Sequence, residues 1–221
     1  MDAATELAQL RDHRAASTPH GFRDVSDFHD GVYDSDFLSP YTKSAHNTES
    51  DILIFLQDWI SEDVLSGPLI PEAVTFGRIP TLPTNKNLDR LLAEHFDKDI
   101  ADVYATNLFP YVKPGNMSAG IPFTMLKDAA ETFALRHIEI LKPKLIVALG
   151  LNCFNALAVA LGNKPVKPLA SAIGSPLDVG EGKVWAQAHS GALGQNARNR
   201  DNKRQTDTDW REMANWYQSA A

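Results

Sequence analysis

Asp58 and His189 are the two side chains whose neighbours best suit them to chemistry. Asp58 lies in LQDWIS (56–61) after one apolar run, and His189 opens HSGALG (189–194) after another. A carboxylate can hold a developing cation or orient water, and an imidazole can stabilise a departing group. Ser190 adds a candidate nucleophile, because AHSGA (188–192) fits the small-x-Ser-x-small outline of a strand-to-helix elbow. That chemistry needs an acid and a histidine downstream of the serine. The histidines stand at 13, 20, 29, 46, 95, 137 and 189, so none follows Ser190. The serine-hydrolase reading fails on chain order.

Other chemistries lack their residues. No G-x-x-x-x-G-K-[ST] loop and no G-x-G-x-x-G after a strand is present, which argues against phosphate cradles of those kinds. No paired-histidine metal spacing occurs, and the single Cys153 excludes an internal disulfide, a cysteine-rich zinc site and a four-cysteine cluster. No metal or cofactor is therefore expected. The net charge of −7 argues against a broad non-specific nucleic-acid surface. It leaves room for a small basic patch, and RNRDNKR (198–204) is the densest basic run. No run approaches the ~18 apolar residues of a membrane span. The N-terminus lacks a basic start followed by an apolar stretch, so a cytoplasmic protein is expected.

The elements that must position Asp58 and His189 are legible as alternating patterns. DILIFLQ (51–57), DVYATNLF (102–109), KLIVALG (144–150) and KVWAQAH (183–189) are short apolar runs suited to parallel strands covered on both faces. Between and after them, 85–96, 123–141, 151–161 and 207–218 carry helical spacing. This order predicts an α/β sandwich around a central parallel four-stranded sheet flanked by helices. Ligands bind such sheets beyond the carboxyl ends of the strands, where both motifs fall. Residues 1–50 are polar with scattered aromatics, and they read as an extension packed on a core domain spanning 51–221.

A carboxylate and a histidine at two strand ends suit hydrolysis of an N-glycosidic bond. The carboxylate stabilises an oxocarbenium-like sugar and positions water, while the imidazole N–H stabilises the departing base. The base must first leave the duplex stack, and Leu193, four residues after His189, is placed to fill the gap. Over roughly residues 50–218 the chain resembles the uracil-DNA glycosylase superfamily. LQDWIS is similar to that family's G-Q-D-P-Y-H motif, with Gln57 and Asp58 matching. HSGALG is similar to H-P-S-P-L-S, with His189 and Leu193 matching. YATNLFPYVKPGN (104–116) resembles the segment whose asparagine reads the base edge, here Asn107, and 141–150 resembles the third-strand segment.

The resemblance implies a monomeric, monofunctional DNA glycosylase that flips a nucleotide and leaves an abasic site. Asp58 and His189 would be catalytic, and Gln57, Asn107, Trp59, Ile60 and the stacking candidate Phe76 would surround the base. Leu193, Ser190, Asn196, Arg198 and Arg200 would meet DNA. Trp59-Ile60-Ser61 replaces Pro-Tyr-His, which removes the tyrosine that blocks the C5 side of a pyrimidine in the family. Two substrates follow: uracil in repair, or a C5-modified pyrimidine such as hydroxymethyl- or glucosyl-hydroxymethylcytosine of phage DNA. Taken singly, Asp58 reads as a turn or cap, Asn107 as a turn residue and His189 as a structural histidine. The alternative is a non-catalytic nucleic-acid-binding or nucleotide-sensing module on the same fold.

Overall fold

The computed structural model describes residues 2–200 and 204–220, so positions 201–203 of the basic run lie outside the described residues. The chain opens with helix α1 (Ala3–Ala16), followed by 3-10 turns at Val25–Asp27, His29–Gly31 and Pro40–Ser44. Strand β1 (Ile52–Leu56) leads into α2 (Glu62–Leu65), α3 (Pro71–Phe76) and α4 (Pro83–Phe96). After β2 (Tyr104–Asn107) come α5 (Phe123–Ala129), a π turn (Ala130–Ala134) and α6 (Leu135–Leu141). Then follow β3 (Leu145–Leu149), α7 (Leu151–Ala160), α8 (Leu169–Ile173), β4 (Leu177–Val179) and β5 (Gly182–Gln187). Helices α9 (Ala192–Arg198) and α10 (Gln205–Ser219) complete the order.

Among the described residues the sheet has five strands in the order β2-β1-β3-β5-β4, not four. The four expected strands are parallel, and β4 adds an antiparallel edge on β5 through Leu177–Val184 and Val179–Gly182 pairing. Three residues with a partly exposed face produce no apolar run, so β4 leaves little trace in the sequence. By contrast every residue of β1 and β3 is buried. Successive side chains of a strand point to opposite faces, and the core divides accordingly. Leu53, Phe55, Ile146, Ala148, Val184 and Ala186 face one cluster with Leu126, Phe133, Phe154 and Leu157. Ile52, Ile54, Leu56, Val147, Leu149 and Trp185 face the other with Leu88, Leu91, Trp210 and Met213. The result is a three-layer α/β/α sandwich.

The first fifty residues supply both layers. Leu7, Leu10 and Leu38 join the first cluster, and Val25, Phe28, Tyr33, Tyr41 and Ala45 join the second. Pro40 closely approaches Gly77, which caps α3 with φ +68°; a Cβ there would lie 1.6 Å from the Pro40 carbonyl oxygen. Only glycine fits that crossing.

His137, on the expected apolar face of the 123–141 helix, is fully buried and hydrogen-bonds the Phe133 carbonyl through Nδ1 at 2.9 Å. Burial pushes its pKa from 6.5 down to about 4. The unfolded chain therefore binds a proton between pH 6.5 and 4 that the folded chain refuses. Stability is complete above pH 6.5 and falls as the pH drops toward 4. Urea midpoints at pH 7 and pH 5 should show this loss, and His137→Leu should flatten it; an unchanged slope in the variant removes His137 as its cause.

Candidate active site

Parallel pairing brings the carboxyl ends of β1, β3 and β5 side by side. Leu108 and Phe109 donate to the carbonyls of Leu56 and Gln57 at 2.7 and 2.9 Å, which carries the β1–β2 ladder as far as Gln57. On the other side, Gly150 N–H donates to the Gln187 carbonyl at 2.8 Å. Asp58 and His189 consequently line one cleft, together with Trp59, Ile60, Tyr41, Asn85, Lys113 and Met117. Asp58 has a side chain only 13% exposed. Its Oδ2 lies 2.7 Å from Lys113 Nζ, and its Oδ1 accepts from Gln57 Nε2 at 3.0 Å.

His189 is held from several directions. Asn87 of α4 donates to the neighbouring Ser190 carbonyl at 2.8 Å, and Gln195 Nε2 donates to the His189 carbonyl at 3.2 Å. The Gly191 N–H points at His189 Nδ1 at 3.0 Å. A ring nitrogen that accepts carries no proton, so this bond assigns the neutral tautomer with its proton on Nε2. Burial lowers the imidazole pKa; the Asp58 charge opposes this and the Lys113 charge adds to it. The arrangement yields an N–H donor in the cleft beside a carboxylate.

The glycines of this loop are sites of close approach. A Cβ on Gly191 would come 2.9 Å from His189 Nδ1, and one on Gly194 would come 2.3 Å from the His189 carbonyl oxygen. Gly194→Ala should therefore displace the His189 backbone and lower folding stability by about 1–3 kcal/mol, the cost of forcing extra atoms into a packed site. A loss below about 0.5 kcal/mol in urea unfolding would show that the loop absorbs the change.

A family model described as the uracil DNA glycosylase superfamily matches residues 67–214. The chain belongs to this superfamily. No protein in a search of curated proteins matches it. The matched span includes Asn107, His189 and Leu193 but begins after Asp58. Geometry alone therefore joins Asp58 to His189.

Within this superfamily member the remaining predicted residues separate. Leu193 is 86% exposed in the first turn of α9, and Asn196 and Arg200 are also exposed. Ser190 is fully buried, so its expected DNA contact is corrected: the chain turns inward there and presents its carbonyl to Asn87. Arg198 keeps a partly exposed side chain but is engaged within the fold. Its Nε and Nη2 grip Asp209 at 2.6 and 2.8 Å, tying α9 to α10 and committing one edge of the guanidinium. Phe76 is exposed at the end of α3 and does not line the cleft. Trp59 and Ile60 do line it, with Trp59 Nε1 donating to the Gly77 carbonyl at 2.8 Å.

Asn107 is buried and does not line the cleft; its Oδ1 accepts from Ser39 Oγ at 2.5 Å. The carboxamide on the cleft wall is Asn85, fixed by Tyr41 OH at 3.0 Å and by the Ile79 carbonyl at 2.7 Å. Arg78 stands beside them, held bidentate by Asp89 at 2.7 and 3.0 Å. Sequence reasoning missed this wall because Tyr41 comes from the N-terminal segment and Asn85 from a stretch legible only through its helical spacing. It also missed Lys113, although a lone cation within LFPYVKPG (108–115) was visible.

No helix among the described residues is long and apolar enough to cross a membrane. Glu94, His95 and Asp207 form a triad of metal-ligand type, but Arg90 Nη1 already bonds both carboxylates. The guanidinium supplies the charge that a cation would.

Proposed function

We propose that the protein is a DNA glycosylase, with an ionised Asp58 stabilising the sugar cation and orienting water and His189 donating from Nε2 to the departing base. The observation that carries this reading is the convergence of both side chains on one cleft. A partly buried carboxylate acts strongly on a nearby positive centre, because little water screens it. Leu193 would enter the vacated stack, and Asn196 and Arg200 would flank the DNA backbone. Residues 1–50 would act as an extension of the catalytic domain, since Tyr41 reaches the cleft.

The proposed base is a pyrimidine, uracil or one enlarged at C5, and we put the C5-enlarged base first because the family's tyrosine is replaced by Ile60. Ile60 lines the cleft at the position of the family's tyrosine, so no phenol ring closes the C5 side there. Hydroxymethylcytosine and its glucosylated form, as found in phage DNA, fit this description. Uracil, the substrate that the family resemblance implies, is the comparison.

The test is a panel of oligonucleotides and phage DNAs containing uracil, hypoxanthine, cytosine, hydroxymethylcytosine or glucosyl-hydroxymethylcytosine. Alkali-labile sites should form in the C5-modified DNAs. Sites in uracil DNA alone would reverse the preference, and DNA binding without any sites would support the non-catalytic reading. Leu193→Ala should slow excision from duplex about tenfold, the worth of one buried apolar side chain, and spare single strands. Equal slowing on both substrates would exclude the wedge role.

A further inference from the structure

Lys113 is a charged cleft residue that the proposed excision step leaves without a task. It lies on the loop after β2, yet it is only 4% exposed. The loop is fixed against the start of α2: Glu62 N–H donates to the Lys113 carbonyl at 3.0 Å, and Asp63 N–H to the Gly115 carbonyl at 3.1 Å. Ser61 N–H meets Met117 Sδ at 3.4 Å on the same loop. The amine thus has a defined position. Its Nζ donates to the Met117 carbonyl at 2.8 Å and lies 2.7 Å from Asp58 Oδ2, so one of its three N–H bonds has no assigned acceptor.

Burying an ammonium costs several kcal/mol, and a counter-ion to one carboxylate is a weak return for stability alone. The position suggests chemistry. If Asp58 stands beside the anomeric carbon, an amine 2.7 Å from that carboxylate stands within reach of the same carbon. An amine next to an aldehyde carbon forms a Schiff base.

We propose that Lys113 is a nucleophile toward abasic sites, giving the protein a strand-cleaving lyase activity in departure from the monofunctional excision that the family resemblance implies. The sugar of an abasic site opens to an aldehyde at C1′. Lys113 passes one proton to Asp58, and its lone pair forms a C–N bond at C1′. The resulting carbinolamine takes that proton back from Asp58 onto its hydroxyl, which leaves as water, and becomes an iminium. A carboxylate or imidazole of the cleft removes a C2′ proton. The freed electron pair forms the C2′–C3′ double bond and expels the 3′ phosphate oxygen with its bonding electrons. Water then hydrolyses the iminium, releasing an unsaturated aldehyde and restoring the amine. No oxidant or reductant enters the sequence.

The experiment uses the full chain and a duplex with a preformed abasic site, so its outcome does not depend on which base is excised. Borohydride reduces the iminium to a stable amine and should yield a covalent protein–DNA adduct. Peptide mass spectrometry should map it to Lys113, and a tetrahydrofuran site, which has no aldehyde, should give none. Lys113→Arg keeps the charge beside Asp58 and should lose at least nine-tenths of the adduct while still binding tetrahydrofuran duplex. No adduct, an adduct mapped to another amine, or undiminished trapping by Lys113→Arg would overturn the proposal. Mapping on the wild-type protein decides the matter even if the variant does not fold.

Discussion

Asp58→Asn should lower single-turnover base excision by roughly a thousandfold, the scale on which loss of one preorganised charge-stabilising group acts. Asparagine keeps the shape of the side chain but replaces one carboxylate oxygen by an NH2 donor, so the change removes the charge together with one of the two acceptors that Lys113 and Gln57 engage. In wild type that charge is shared between Lys113 Nζ at 2.7 Å and Gln57 Nε2 at 3.0 Å, and the side chain is mostly shielded from solvent. A sugar cation forming beside the neutral amide would have only weak dipoles to meet it. The measurement is excision under enzyme excess on the base that wild type removes. Binding to a tetrahydrofuran duplex should persist, since Leu193 and the exposed α9 surface are untouched. Excision within tenfold of wild type would remove Asp58 from the mechanism.

Arg14→Met should cost about 3–5 kcal/mol of folding stability, the range for breaking a buried ion pair by removing one partner. Arg14 is completely buried in α1. Its Nε lies 3.0 Å from Asp24 Oδ2, its Nη2 lies 2.8 Å from Asp34 Oδ1, and its Nη1 donates to the Leu38 carbonyl at 3.0 Å. Methionine fills comparable space and leaves Asp24, itself buried, without its counter-ion. The guanidinium also fixes the segment that presents Ser39 to Asn107 and Tyr41 to Asn85. Urea unfolding gives the stability change, and Arg14→Met/Asp24→Leu should recover part of it. A loss below 1 kcal/mol in the single variant would show that the segment is held by its aromatics instead.

How much of this was legible in advance depends on the range of the interaction. The four parallel strands were visible because β1 and β3 are buried on both faces, which demands uninterrupted apolar runs. β4 was not visible because three edge residues need only one apolar face. Asp58, His189 and Leu193 stood out through local spacing after strands. Lys113, Tyr41 and Asn85 did not, because each reaches the cleft through contacts distant in the sequence. Ser190 misled for a related reason, since local composition gives its chemistry but not its burial, and the ion pair of Arg198 with Asp209 was equally out of view.

By itself, then, the sequence determined the layered α/β order and placed a carboxylate and an imidazole at strand ends, since strand burial and turn position are local consequences of side-chain pattern. Only the tertiary structure decided that the two converge on one cleft. It also decided that Asn85 rather than Asn107 lines the wall, and that a buried amine lies beside Asp58. These are matters of which strand neighbours which and where loops dock, and packing among residues far apart in the chain settles them.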